Sequence, residues 1–134
     1  MPTNPIPTGP PLLRRIGQIA VNVRDLERAT AWYRDQLGLV HLFGAGSMSF
    51  FDVAGTRLML SLPSAPEFDH PSSILYFDVA DIMAAFNTLA GRGVRFEREP
   101  FLVAPLASAD LWMAFFRDSE GNLLALQCEV ARAA

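Results

Sequence analysis

Apolar side chains at Ile19, Val21 and Val23 recur every second residue, with Gln18, Ala20 and Asn22 between them, the signature of a strand with one buried face. The alternation stops at Asp25. From there Leu26, Ala29, Trp32 or Tyr33, and Leu37 fall at helical spacing, which predicts a helix over residues 25–36. Asp25 is suited to the N-cap, accepting a hydrogen bond from an otherwise unpaired first-turn N–H, and Gly38 supplies a left-handed stop. The same order then returns. Leu75-Tyr76-Phe77-Asp78-Val79-Ala80-Asp81-Ile82 repeats the pattern of Ile19-Ala20-Val21-Asn22-Val23-Arg24-Asp25-Leu26, predicting a strand over 74–79, a cap at Asp81 and a helix over 82–90 ended by Gly91-Arg92-Gly93. A strand, a cap and a helix, each present twice, predict a pseudo-symmetric domain.

Short apolar runs predict three strands after the first helix, at 40–44, 48–53 and 57–61, with Ala54-Gly55-Thr56 as the tight turn. Three more are predicted after the second, at 94–98, 111–117 and 123–129. Asp118-Ser119-Glu120-Gly121-Asn122 reads as the turn joining the last two strands, and as nothing more. Residues 100–110, apolar but broken by two prolines and several alanines, read as an irregular flap. The expected division is a Pro-rich arm over 1–13 and one domain over 14–132, with module one at 14–63, a linker at 64–72 and module two at 73–130.

A chain of 134 residues buries roughly two-thirds of the surface its unfolded form exposes, so two halves of this size must share a core. Hydrophobic residues at 51% and charged residues at 19% lie on the apolar side of the soluble average, which points to a homodimer or a pocket that uses the surplus. A net charge of −3, with its arginines scattered, argues against nucleic acid as a partner. No lysine is present, which excludes Schiff-base chemistry through a lysine. Cys128 stands alone in a strand pattern and reads as a buried thiol. The proline-rich start lacks an apolar signal core and no apolar run is long enough to span a bilayer, so the sequence reading is a cytoplasmic protein with no membrane partner.

Val23-Arg24-Asp25-Leu26, Trp32-Tyr33, Leu37-Gly38-Leu39, Arg92-Gly93-Val94 and Phe116-Arg117-Asp118-Ser119-Glu120-Gly121-Asn122 occur in an order that resembles the vicinal oxygen chelate superfamily, which includes glyoxalase I, extradiol dioxygenases and the fosfomycin- and bleomycin-resistance proteins. The resemblance covers residues 16–129. It implies an α+β fold of tandem βαβββ modules forming a curled mixed-sheet cup, usually completed in a homodimer; the chemistry stays open, because that fold hosts isomerases, dioxygenases, transferases and binding proteins. The family's metal enzymes place ligands at four inward positions, two in each module. Carried over residue by residue, these are Gln18, Met59, Ile74 and Ala125. Only Gln18 offers a suitable donor, whereas a divalent ion needs several O, N or S atoms converging on it. No metal and no cofactor are therefore expected. The two histidines, His41 and His70, read as ordinary surface or loop residues, and Asp52 and Asp78 fall towards strand ends where turn-capping is usual.

With Gln18 and its period-2 partners taken as inward, the cup is expected to bind a small molecule through Gln18, Met48, Phe50, Arg57, Met59, Ile74, Tyr76, Met113, Phe115 and Gln127, with Ala20, Ser61 and Ala125 filling between them. Aromatic and thioether walls with a few polar groups are the makeup of a small-molecule site, and Arg57 would suit a carboxylate or phosphate. The same residues would also serve a cup filled by its own side chains. Two functional readings follow: a metal-independent protein that sequesters a partly apolar compound in a dimeric cup, or a glyoxalase-, epimerase- or dioxygenase-type enzyme with a displaced metal. A metal-free enzyme using Tyr76, Asp78 or Arg57 ranks below both, and whether any reaction is catalysed stays open.

Overall fold

The computed structural model describes residues 8–10 and 12–132; most of the expected arm, residues 1–7 and Pro11, lies outside them. Strand β1 (Gln18–Asn22) leads into helix α1 (Leu26–Asp35), followed by β2 (Val40–Ala45), β3 (Met48–Val53) and β4 (Thr56–Ser61). A single 3-10 turn, Pro66–Phe68, interrupts the connection to β5 (Leu75–Asp78) and helix α2 (Ile82–Gly91). The chain ends with β6 (Arg95–Phe96), β7 (Phe101–Pro105), β8 (Ala109–Arg117) and β9 (Leu123–Ala131).

The duplication extends to the caps. Asp25 accepts from Arg28 N at 3.0 Å and Asp81 from Ala84 N at 3.1 Å, each starting its helix in the same way. Each module closes by a parallel pairing, β1 with β4 and β5 with β9, inside an otherwise antiparallel sheet. The first sheet runs β1-β4-β3-β2 and the second β5-β9-β8-β6, with β7 also on β8. Both sheets are open, and both carry their helices on one face. Val21, Phe51, Leu58 and Leu60 from the first sheet and Ala114, Phe116, Leu124 and Leu126 from the second form one continuous buried cluster with Tyr33 and Ile82. The opposite faces carry the period-2 partners, Gln18, Phe50, Arg57 and Met59 on one sheet and Tyr76, Phe115 and Ala125 on the other.

The structure corrects two expectations for the strands of module two. Residues 100–110 are not a flap: 101–105 form β7, paired antiparallel with β8, and Ala109 and Asp110 already belong to β8. Pro105 is tolerated because β7 is an edge strand, where a missing N–H costs no ladder bond. The strand expected over 94–98 shrinks to Arg95 and Phe96; Glu97 N still donates to Phe115 O at 2.8 Å, and residues 98–100 bulge out between the β6 and β7 segments that share β8 as partner. Together these two segments fill the place that β2 takes in module one.

The segment read as a plain turn is also more than that. Asp118 is 1% exposed, and its carboxylate accepts from Tyr33 Oη at 2.6 Å, Glu120 N and Asn122 N at 2.8 Å each, and Asn122 Nδ2 at 2.9 Å. Glu120, next along, accepts from Arg24 N and Asp25 N at 2.7 Å each and pairs with the Arg28 guanidinium, so a carboxylate from module two sits at the N-terminus of α1 in module one. Burial alone would raise the Glu120 pKa, but the Asp25 N–H, the Arg28 guanidinium and the Arg24 N–H outweigh it and hold the carboxyl below its usual 4.5. A folded-state pKa below the unfolded one stabilises the fold above that range and loses its contribution as pH falls through the folded value. Urea denaturation is therefore expected to show a stability loss below about pH 4.5 that is visibly smaller in Glu120→Gln; equal pH slopes for the two proteins would refute this assignment.

Candidate functional site

The two modules meet at a seam. There Arg57 from β4 and Ile74 and Tyr76 from module two join the core-side residues Ile19, Leu58, Leu75 and Phe77 around a hollow of about 410 Å³. Ile74 and Tyr76 also wall a neighbouring hollow of about 430 Å³ with Arg98, Phe101 and Phe115. Tyr76 meets Phe115 edge-on at 6.0 Å and Phe101 stacks beside Phe115 at 6.2 Å, while the Arg98 guanidinium lies 3.6 Å from the centre of the Phe101 ring. Ala125, flanked in register by Tyr76 and Phe115, is small enough to let these two rings meet.

On the first sheet, Gln18 and Arg57 are register partners, and Gln18 Oε1 accepts from Arg57 Nε at 2.8 Å. Gln18 Nε2 points to Met59 Sδ at 3.8 Å. The Arg57 guanidinium lies 5.1 Å from the centre of Phe50, which stacks on Phe43 at 4.6 Å. Met48 and Met59 line a third hollow of about 400 Å³, roofed by the linker, where Phe68 and His70 fold back over the sheet. Asn22 holds that roof down, its Nδ2 donating to Phe68 O at 2.6 Å and His70 O at 2.8 Å. Met113 and Gln127 are register partners beyond the Tyr76–Phe115 wall.

The expected lining is thus distributed over adjoining hollows on two open sheets. Ile74 and Tyr76 stand at the seam, with Arg57 walling the hollow on one side of them and Phe115 the hollow on the other; Met48 and Met59 lie under the linker; Phe50 is buried between Phe43 and Arg57. Phe101 and Arg98 join the wall without having been anticipated. The apolar run Phe101-Leu102-Val103 was the available signal, masked by the prolines on either side of it.

The four positions that carry metal ligands in the resembling enzymes do not fit an ion here. Gln18 is already occupied by Arg57 and Met59, Ile74 offers a hydrocarbon to the seam, and Ala125 is fully buried with no donor. Among the described residues no three His, Cys, Asp or Glu side chains converge as a metal site. His41 is not a free surface imidazole: its Nε2 lies 3.1 Å from the buried Ser49 Oγ and its ring meets Phe51 edge-on, on the helix side of the first sheet. Asp52 caps its own turn, accepting from Gly55 N at 3.1 Å. The Cys128 thiol is buried, as its strand pattern indicated.

A family model described as the Glyoxalase/Bleomycin resistance protein/Dioxygenase superfamily matches residues 15–126. The chain belongs to that superfamily. Among solved structures, a superfamily member from Sphaerobacter thermophilus is 26% identical, with 88% of this chain and 99% of that one covered at a TM-score of 0.73. A virulence protein from Salmonella typhimurium is 18% identical, covering 89% of this chain and 99% of that one at 0.73. A lactoylglutathione lyase from Agrobacterium tumefaciens is 20% identical, covering 88% and 96% at 0.67. No curated protein matches the chain. The superfamily chain described here has no helix, among its described residues, long and apolar enough to cross a membrane.

Proposed function

We propose that this superfamily member is a metal-independent small-molecule-binding protein, a cytoplasmic homodimer that sequesters a partly apolar compound on the faces its two sheets turn away from the helices. The observation that carries this reading is the engagement of Gln18, the one candidate donor, by Arg57 and Met59, beside hollows of 400–430 Å³ whose walls combine the rings of Tyr76, Phe101 and Phe115 and the thioethers of Met48 and Met59 with polar side chains. The rims favour a second copy as cover. Val40, Leu42 and Phe43 on edge strand β2 and Leu102 and Val103 on edge strand β7 are exposed, and apolar residues on sheet edges call for a partner.

The rival is a glyoxalase-, epimerase- or dioxygenase-type enzyme with a displaced metal. A thermal-shift screen of small aromatic and aliphatic compounds, run once with chelator and once with added Zn²⁺, Ni²⁺ or Mn²⁺, separates the two. A ligand at about 100 times its Kd should stabilise the protein by about 2.7 kcal/mol, equally under both conditions. Stabilisation only with the ion would favour the enzyme, and a screen with no hits at all would leave the hollows as plain packing.

A further inference from the structure

We propose that the ligand of the Arg57–Tyr76 seam is a planar aromatic carboxylate; this rests on the binding reading above and narrows it to a chemical class. Charge is the first argument. In a chain of net charge −3, Arg57 is the only charged side chain among the described residues that wall its hollow. In the neighbouring hollow Arg117 and Glu97 neutralise each other at 2.7 Å, which leaves Arg98. Among the described residues no carboxylate lies within 4 Å of Arg57 or Arg98. Asp52, opposite Arg57 in register, is turned to the Gly55 N–H.

Preorganisation is the second. Gln18 Oε1 takes the Arg57 Nε–H, and Phe50 lies beside the guanidinium, so the group is held while its two terminal nitrogens remain to grip a carboxylate with two parallel hydrogen bonds. The third is the wall, of which Ile74 and Tyr76 belong to both hollows and Phe101 and Phe115 to the second. Tyr76 is 43% and Ile74 39% exposed, and the edge-on and stacked rings of Tyr76, Phe115 and Phe101 offer a flat arene the offset and edge contacts aromatic groups prefer. A flat ring on this wall, with its carboxylate towards Arg57, satisfies the free cation and covers the exposed rings together.

Calorimetric titrations with naphthalene-2-carboxylate, naphthalene-2-carboxamide and decanoate test this directly. The aromatic carboxylate is expected to bind at least about tenfold more tightly than either comparison compound, one for lacking the charge and one for lacking the ring. Arg57→Gln, an exposed position that should leave the fold intact, is expected to abolish the preference for carboxylate over carboxamide, the aromatic carboxylate losing at least about tenfold in affinity. Equal binding of all three, a preference that survives Arg57→Gln, or no carboxylate binding at millimolar concentration would each overturn the inference. Binding of the carboxamide or decanoate as tight as that of the aromatic carboxylate would do so while leaving the general binding reading in place; a blank chelator-treated screen would overturn that reading as well.

Discussion

Asp118→Ala is expected to cost about 3–4 kcal/mol and to lower the melting temperature by about 10 °C, more than any substitution on the opposite sheet faces. The reason is the number of partners stranded at once. Tyr33 Oη, two backbone N–H groups and the Asn122 amide all donate to this carboxylate, and Tyr33 is fully buried. Burial is also the first cause, ahead of the Asp118 charge and hydrogen bond, of the Tyr33 phenol being pushed well above its usual value of 10.0. Tyr33→Phe should cost less, about 1–2 kcal/mol, because Asp118 keeps its other donors. The two substitutions share one contact, so their effects should fall short of additivity in chemical denaturation. A loss below about 1 kcal/mol for Asp118→Ala would show that water replaces the carboxylate and that the clasp between modules is dispensable.

Phe116→Ala is expected to destabilise the whole chain by about 3–5 kcal/mol in one cooperative transition. Phe116 is fully buried, lies 6.4 Å from Trp32 of module one and 5.2 Å from Phe96 of module two, and belongs to the cluster contributed by both sheets. Losing its ring opens a cavity against both modules. If calorimetry instead resolved two transitions, with only one shifted, the modules would be folding as separate units and the single-core description would be wrong.

The sequence was most legible where local chemistry decides structure. The alternation at Ile19–Val23 and Leu75–Val79, the Asp25 and Asp81 caps and the Ala54-Gly55 turn each follow from a few adjacent residues. Period-2 parity likewise put Gln18, Arg57, Phe50 and Met59 on one face and Tyr76 with Phe115 on another. It could not say how two open sheets divide that lining, because parity fixes a face and not the distance between faces. The β7 strand was hidden because Pro100 and Pro105 suppress a strand reading, and only its position at a sheet edge makes them harmless. The Asp118–Tyr33 and Glu120–Arg28 contacts join residues more than eighty positions apart, and no local pattern announces a pair of that kind.

The proposed function requires that the scaffold grip its guest without an ion, and it rests on Gln18, Met59, Ile74 and Ala125 standing where the resembling enzymes carry ligands. Calorimetric titration of chelator-stripped protein with Zn²⁺, Ni²⁺ and Mn²⁺ tests it most directly. The account predicts no one-to-one binding tighter than about 1 mM, since a lone amide cannot replace the several converging donors these ions require. Stoichiometric binding in the micromolar range, lost in Gln18→Ala, would contradict it.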